Sequence, residues 1–182
     1  MVLSSYAKIN LNLKVNFKNK NNLHEIQSYF CLIDLTDKIK LKINNSKKDK
    51  VIFKGPFAKF VNKSNNSILK LLKLLREMRY ISHYYSVIIT KNIPVFGGLG
   101  GGTGNAAFIL KHLFKNRIGR SLINQVQEKI GSDFELFFYK QGFLKNLRSV
   151  INLKKKQKLF FVLIQPNIKC STKEIYSKEQ KY

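Results

Sequence analysis

The segment PVFGGLGGGTGNAAFIL, residues 94–110, holds five of the ten glycines of the chain within positions 97–102. It lies between a predicted strand that ends at Pro94 and a predicted amphipathic helix. Backbone N–H groups at the start of a helix are unpaired and carry a partial positive charge, so a glycine run there leaves room for an anion such as phosphate. A hinge or a tight turn explains glycines equally well. The run also lacks the Gly-Lys-Ser/Thr ending of a Walker loop and the long βαβ context of a dinucleotide site.

The patterns on either side of the glycine run predict both strands and helices. Period-two alternation predicts one strand over residues 6–17, and two more within 24–43 on either side of the polar DLTDK. Further strands are predicted at KVIFKG, YYSVIITKNIP, FELFFY and LFFVLIQP, the last two buried. Helical spacing predicts helices from Asn66, after the glycine run, and over residues 121–131, where Gly131 ends the helix. The chain is therefore predicted to be an α+β protein.

The composition indicates a globular chain with an unusual charge. Its 182 residues are 44% hydrophobic and 24% charged, and the formal net charge is +24. Because the lysines are dispersed among abundant Asn, Ile, Phe and Tyr, compositional drift explains the charge better than specific nucleic-acid binding does, and NLKKKQK at 152–158 is predicted to be a solvated turn. Cys31 and Cys170 have no metal-binding spacing. No apolar stretch is long enough to span a bilayer, so we expect a cytoplasmic protein without a membrane partner.

The glycine run in its context resembles the phosphate-binding motif of the GHMP kinases, which is Pro-x-x-x-Gly-Leu-Gly followed by small residues and Ser. The triple glycine followed by Asn-Ala-Ala resembles the branch of that family that acts on a cytidine-diphosphate-linked methylerythritol. Other matching segments follow in the family's order: AKINLNLKV, HEIQSYFCLIDLTDKIKL, NNSILKLLKLL, GSDFELFF and PNIKCSTKEIYS. The resemblance implies a GHMP kinase N-terminal domain over residues 1–158, with a mixed or antiparallel sheet packed with helices. Residues 159–182 would then begin a C-terminal domain.

The resemblance also implies a reaction, in which ATP with Mg²⁺ phosphorylates the 2-hydroxyl of the methylerythritol substrate in non-mevalonate isoprenoid synthesis. By position, Lys8 and Asp133 match the catalytic lysine and aspartate. Phosphoryl transfer needs in-line positioning, charge neutralisation and a group that accepts the hydroxyl proton. An aspartate beside a lysine is favoured in its ionised form and can take that proton, while the lysine stabilises the transferring oxygens. Without the resemblance, Asp133 would be interpreted as a turn residue and Lys8 as a surface cation.

The remaining site residues also come from the resemblance. The ATP site implied is Pro94, Gly97, Gly98, Leu99, Gly100, Gly101, Gly102 and Thr103, with Asn66 and Lys91 associated with the base. The substrate site implied is Asn10, His24, Thr172 and Tyr176. His24 corresponds to the residue that recognises cytosine, and Tyr176 to an aromatic that stacks on it. No dedicated metal ligands are indicated, and Mg²⁺ would be held by the ATP phosphates and the Thr103 hydroxyl.

Several residues depart from the family pattern. Leu23 precedes His24 where the family has Tyr, Phe96 replaces a small residue, and Gly104 replaces the second Ser of a Ser-Ser pair. Phe134 and Glu135 replace an apolar residue and Pro. Family members also continue beyond the position of Tyr182, which leaves a separate C-terminal fragment as a possible partner. Two alternatives therefore stay open: a non-catalytic remnant that retains nucleotide binding, and a GHMP kinase for another small-molecule substrate.

Overall fold

The computed structural model describes residues 2–18 and 24–165. Its strands are β1 (Val2–Asn10), β2 (Lys14–Lys18), β3 (His24–Asn44), β4 (Lys50–Lys54), β5 (Tyr84–Thr90), β6 (Gln141–Asn146) and β7 (Ser149–Asn152). Its helices are α1 (Ser67–Glu77), α2 (Gly101–Leu113) and α3 (Arg120–Ile130). Two 3₁₀ turns cover Ala58–Phe60 and Phe134–Phe138. The predicted α+β class is confirmed.

The sheet is mixed and is organised around β3. Its seven strands include a path in the order β4-β5-β3-β6-β7, and β1 and β2 also pair with β3. Only the β4–β5 pair is parallel among the described strands. Parallel strands need a crossover connection. Here α1, which follows β4 and precedes β5 in the chain, provides it and packs against the sheet. The predicted sheet with packed helices is therefore present.

The long central strand differs from the prediction of two strands separated by DLTDK. β3 is one strand of 21 residues. It runs through the polar segment because Asp37 points into the protein and is fully hydrogen-bonded there. The irregularity lies in β3 itself, where Asp34 and Leu35 have no partner between the pairs Ala7–Ile33 and Tyr6–Thr36. The single strand predicted over 6–17 is instead β1 and β2, separated by residues 11–13.

Two other strand predictions were wrong. FELFFY forms the 3₁₀ turn Phe134–Phe138, in which Phe134, Leu136 and Phe137 are all buried, so its apolar residues serve a turn and not a strand. Residues 159–165 of LFFVLIQP pair with no described strand, and the side chains of Phe160, Val162 and Ile164 are more than four-fifths exposed. A strand without a partner gains neither ladder bonds nor burial.

The helices cover one face of the sheet, and the main core lies between them. The apolar stripe of α1 (Ile68, Leu71, Leu72 and Leu75) is fully buried, and Asn66 caps the helix by accepting a hydrogen bond from Leu69 N at 3.1 Å. The larger core cluster joins this stripe to α2, α3 and the inward residues of β3 and β5. A smaller cluster around Phe30 and Leu144 supports β6. No helix of the described residues combines the length and apolarity that crossing a membrane requires.

Candidate active site

The glycine run forms a loop that turns directly into α2. Gly98 and Gly100 have φ of +68° and +67°, in the left-handed region that glycine occupies at little cost, and Gly100 caps α2. Phe96 also has a positive φ of 67°, with its side chain half exposed. The loop is tied to the sheet because Lys8 N donates to Leu99 O at 3.0 Å. The strand that carries Lys8 and the glycine loop are therefore joined through their backbones.

The glycines of the loop have different surroundings. A Cβ on Gly101 would lie 3.0 Å from Lys91 Nζ and 3.0 Å from Ile93 Cγ2, so a side chain there would crowd the packing beneath the helix. A Cβ on Gly98 would meet nothing within 4 Å, and one on Gly102 would meet only Ser67 Oγ at 3.4 Å. The space left at these two positions opens toward a cleft.

The cleft beside the loop has a volume of about 450 Å³. Its polar side is formed by the first residues of α1 and α2, so the positive ends of two helix dipoles meet there. Apolar side chains line the rest of it: Phe53, Phe60, Val61, Ile68, Pro94, Val95, Phe96 and Leu99. Two helix N-termini facing an apolar wall can hold a phosphate chain beside a flat ring.

Lys8 and Asp133 lie together at the glycine loop, as predicted for the two catalytic residues. Lys8 Nζ is 2.8 Å from Asp133 Oδ2, and the lysine side chain is 4% exposed against 29% for the aspartate. Lys8 Nζ also donates to Asn10 Oδ1 at 3.0 Å, so Asn10 points to the same side. The Lys8 side chain passes the loop, with Cγ 3.4 Å from the Cβ position of Gly100. The carboxylate is thus the solvent-reachable member of a pair whose cation is buried.

Asp133 is fixed by the segment in which it lies. α3 ends at Gly131, which accepts a hydrogen bond from Phe134 N at 3.0 Å, and Asp133 O accepts one from Leu136 N at 3.1 Å. Glu135, which is 2% exposed, pairs with Arg120 at the start of α3. The hydrogen bond that Arg120 donates to the Glu135 carboxylate raises the pKa of Arg120 above its ordinary value. This ion pair joins the start of α3 to the turn Phe134–Phe138. Glu135 stands at the position where the family pattern has proline.

Asp37 holds together the segments around the glycine loop, and the sequence analysis did not single it out. Its buried carboxylate accepts hydrogen bonds from Lys91 Nζ, from the backbone N–H groups of Asn92 and Ile93 at 2.8 Å each, and from Asn105 Nδ2 at 3.0 Å. It therefore links β3 to the segment before the glycine loop and to α2. A signal was available, since Asp37 precedes Ile39 and Leu41 at period two on the core face of β3.

Lys91 and Asn66, predicted near the nucleotide base, both line the cleft and both have structural partners. Lys91 is 3% exposed and lies beneath the start of α2 in the pair with Asp37. The Asn66 side chain caps α1 through its oxygen, and its Nδ2 donates to Asn62 O at 3.3 Å and Lys63 O at 3.1 Å. A role of either residue at the base stays a prediction.

The other predicted substrate residues cannot be placed beside the cleft. The backbone of His24 begins β3, but its side chain lies outside the described residues, as do Thr172 and Tyr176 entirely. Thr103, predicted to help hold Mg²⁺, lies in the first turn of α2, with Oγ1 3.7 Å from the Cβ position of Gly131. No group of three or more His, Cys, Asp or Glu side chains that could hold a metal ion occurs in residues 2–18 and 24–165.

Solved structures share this fold. A crystal structure of 4-(cytidine 5'-diphospho)-2C-methyl-D-erythritol kinase matches with a TM-score of 0.61 and 22% identity, over 84% of this chain and 55% of that chain. A homoserine kinase from Cytophaga hutchinsonii matches with a TM-score of 0.66 and 15% identity, over 100% and 60% of the two chains. Mevalonate kinase from Staphylococcus aureus matches with a TM-score of 0.53 and 16% identity, over 84% of this chain and 55% of that chain. These structures share the fold of this chain, a mixed sheet packed with helices as in the N-terminal domains of GHMP kinases.

Sequence comparison narrows the resemblance within the superfamily. The 4-diphosphocytidyl-2-C-methyl-D-erythritol kinase of Pelagibacter ubique is 36% identical over 97% of this chain, and that of Francisella philomiragia is 33% identical over 96%. The chain spans 64% of the length of each of these curated relatives. No protein-family model matches the chain. These relatives, which match nearly all of this chain, are both named as kinases of the same substrate.

Proposed function

We propose that the chain carries the ATP-binding and catalytic part of a 4-diphosphocytidyl-2-C-methyl-D-erythritol kinase. The observation that carries this proposal is the 2.8 Å contact between Lys8 Nζ and Asp133 Oδ2 beside the glycine loop. Such a pair, next to two helix N-termini, suits the transfer of a phosphoryl group to an alcohol. The names of the curated relatives supply the substrate class.

In the proposed complex, the phosphates of ATP lie over Gly98 and Gly102, where no Cβ obstructs the approach, and accept hydrogen bonds from the N–H groups that begin α2. The apolar wall of the cleft, which includes Phe60, would take the base. Asn66, Lys91, Pro94 and the residues from Gly97 to Thr103 are the proposed nucleotide contacts. The cleft volume of about 450 Å³ supports this proposal, since ligand pockets for such molecules usually measure about 300–1,000 Å³.

In the proposed reaction, the substrate hydroxyl oxygen forms a bond to the γ-phosphorus of ATP while the bond from that phosphorus to the bridging oxygen breaks, releasing ADP. Asp133 accepts the hydroxyl proton, because its carboxylate is the exposed member of the pair. The ammonium of Lys8 holds that carboxylate in place and stabilises charge on the transferring oxygens. Asn10 orients Lys8 through its hydrogen bond.

Mg²⁺ fits the proposed site only as an ion carried by the nucleotide. The described residues offer no cluster of metal ligands, and Mg²⁺ is commonly bound by one or two protein oxygens together with phosphate oxygens. When bound, the ion neutralises the phosphate charge that builds up during transfer. The Thr103 hydroxyl at the start of α2 is the proposed protein ligand.

The substrate side of the proposal rests on the family resemblance. His24, Tyr176 and Thr172 are proposed to hold the cytidine end of the substrate, with Asn10 near the reacting hydroxyl. Since ATP and the nucleotide-linked alcohol are both soluble, the proposed reaction belongs in the cytoplasm. Nucleotide binding without turnover is a second candidate, favoured by the departures from the family pattern at Phe96 and Gly104 within the glycine-rich segment.

One experiment tests the proposal and separates the two candidates. The purified protein is incubated with ATP, Mg²⁺ and 4-diphosphocytidyl-2-C-methyl-D-erythritol, and product is measured together with ATP affinity. The same assay is repeated with a separately produced polypeptide corresponding to the last third of a relative, the proposed fragment partner. Asp133→Asn should lower turnover by about 100- to 10,000-fold, the usual contribution of a general base, with ATP affinity unchanged.

Asp34→Asn is the matched control, because Asp34 is an exposed carboxylate on β3 outside the nucleotide cleft. It should leave both turnover and ATP affinity unchanged. Turnover that survives Asp133→Asn would contradict the proposed role of Asp133. ATP binding without turnover under both conditions would favour the second candidate, and loss of ATP binding would exclude both.

A further inference from the structure

The face of the sheet opposite the helices carries a set of paired lysines. Lys38, Lys40 and Lys42 of β3 alternate with the core residues Ile39 and Leu41, so all three point away from the helices. The strand register places Lys38 opposite Thr90, Lys40 opposite Ile88 and Lys42 opposite Ser86 on β5. β5 is paired in turn with β4, where Lys54 lies opposite Thr90 and Lys50 opposite Ser86. We call Lys38, Lys40, Lys42, Lys50 and Lys54 the lysine face.

The five lysines are exposed and are not neutralised by acidic partners. None of them forms an ion pair with a carboxylate of the described ranges; Lys38 Nζ donates instead to the Ser4 hydroxyl at 2.9 Å. The carboxylate of Asp49, next to Lys50, is paired instead with Arg76, whose Nη2 lies 3.0 Å from Asp49 Oδ2. Along β3 the preceding exposed carboxylate is Asp34, four residues before Lys38. The face therefore concentrates positive charge that no described group offsets.

Apolar residues fill the centre of the lysine face. Lys40 lies beside Val2 of β1 on one side and Ile88 on the other, and Ile88 pairs with Ile52. Val2 is half exposed, and Ile52 and Ile88 are partly exposed. Neighbouring lysines on β3 are roughly 6–7 Å apart, and β3 and β4 are roughly 10 Å apart across β5. The result is a broad basic surface around an accessible aliphatic centre.

This combination favours one kind of anionic partner. Single-stranded nucleic acids are bound by grooves that also stack bases on aromatic side chains, and the rows between Lys38 and Lys42 contain none. Duplex grooves admit a protruding helix or a two-stranded ribbon, whereas these lysines lie on the broad face of a sheet, across β3 and β4 with β5 between them. Anionic membranes attract clusters of about four to eight basic residues, and exposed apolar side chains add to such binding.

We propose that the lysine face binds the surface of an anionic lipid bilayer, with the ammonium groups on the lipid phosphates and Val2, Ile52 and Ile88 against the headgroup boundary. The face is separate from the nucleotide cleft, so this binding does not depend on the proposed kinase activity. It also differs from the expectation of no membrane partner, which rested on the absence of a stretch that could span a bilayer.

The test measures co-sedimentation of the whole chain with vesicles of phosphatidylcholine containing phosphatidylglycerol, and with vesicles of phosphatidylcholine alone. Binding is expected only to the anionic vesicles and should weaken as salt is raised, because exposed charges are screened. Lys38→Glu/Lys40→Glu/Lys42→Glu should reduce that binding at least about tenfold, since each basic residue near the surface contributes to it. Poly(U) RNA and duplex RNA are tested in parallel with the same proteins.

The matched control is Lys70→Glu/Lys73→Glu/Lys129→Glu, which makes the same change in net charge at exposed positions of α1 and α3. It should retain most vesicle binding. Equal losses in the two variants would overturn the proposal in favour of overall charge. RNA binding that depends on Lys38, Lys40 and Lys42, without vesicle binding, would overturn it in favour of nucleic acid. If the glutamate variant does not fold, the corresponding glutamine triples replace both variants with the same expected difference.

Discussion

The ring of Phe137 occupies the space that a side chain on Gly104 would need. A Cβ at position 104 would lie 2.7 Å from ring carbon Cε1, and one at Gly100 would lie 2.7 Å from Cζ of the same ring. In the sequence, Gly104 replaces the second Ser of the family's Ser-Ser pair and therefore lacks its hydroxyl. The structure adds a steric reason for glycine, because Phe137 packs against the back of α2 while Gly98 and Gly102 leave the cleft side open.

The first prediction concerns this packing. Gly104→Ser restores the family residue but forces its Cβ into the Phe137 ring, so the free energy of unfolding should fall by about 1–3 kcal/mol, the usual cost of overpacking. Urea unfolding followed by circular dichroism measures the loss. In a Phe137→Leu background the same substitution should cost less, since the ring carbons are gone. Equal costs in the two backgrounds would show that Phe137 is not the obstacle.

The second prediction separates ligand binding from folding at the loop. The Cβ added by Gly102→Ala makes only an ordinary contact with Ser67 Oγ at 3.4 Å, so stability should change by less than about 1 kcal/mol. The methyl group would project into the proposed phosphate path, and ATP affinity should fall at least about tenfold. Calorimetric titration with ATP measures it. Gly119→Ala is the control, because a Cβ added there would meet nothing within 4 Å and the position lies outside the cleft, so ATP affinity should be unchanged. Similar affinity in the natural chain and both variants would argue against the proposed path.

The third prediction tests the buried pair of Asp37 and Lys91. Removing either partner leaves the other charge buried and unpaired, so Asp37→Asn and Lys91→Met should each lower the free energy of unfolding by about 3–5 kcal/mol. The double variant should lose less than the sum of the two. Chemical denaturation of the four proteins gives the coupling energy, and strict additivity would mean that the two residues act independently.

The fourth prediction concerns pH and Lys111. Burial lowers the pKa of Lys111 below its ordinary value of 10.5, and its Nζ donates to Phe137 O at 3.3 Å. Because the unfolded chain then binds the proton more tightly than the folded chain, the contribution of Lys111 to stability should rise with pH between the lowered pKa and 10.5. The difference in unfolding free energy between the natural chain and Lys111→Met should change in that direction. A Lys70→Met control, exposed on α1, should show no such rise.

Local sequence patterns correctly predicted the helices and strands whose buried residues recur with a single period, either helical or strand-like. The stripe from Ile68 to Leu75 and the alternation in β5 both appear as expected, since helical and strand periods differ clearly over such lengths. The family resemblance assigned Lys8 and Asp133 to one site, and the two side chains lie in contact although their positions are distant in the chain. Local spacing alone could not have shown that contact.

The secondary-structure predictions that were wrong have their causes in tertiary contacts. DLTDK looked like a break because Asp37 is charged, yet its partners Lys91 and Asn105 come from distant segments and make the position suitable for a strand interior. FELFFY looked like a strand because its length and apolarity fit one, but burial of Phe134 and Phe137 against α2 and α3 favours a turn. Both outcomes depend on neighbours that a sequence window does not contain.

The organisation of β3 has a consequence for how the protein acquires its structure. β1, β2 and β3 are consecutive antiparallel strands, so their pairing closes short loops and can form early. β6 pairs with Ser28 to Cys31 across the whole segment that forms the helices, so this contact has a high sequence separation and a larger loop-closure cost. The turn with Asp133 immediately precedes β6. We therefore expect the Lys8–Asp133 pair to be completed late in folding, after the sheet that carries Lys8 has formed.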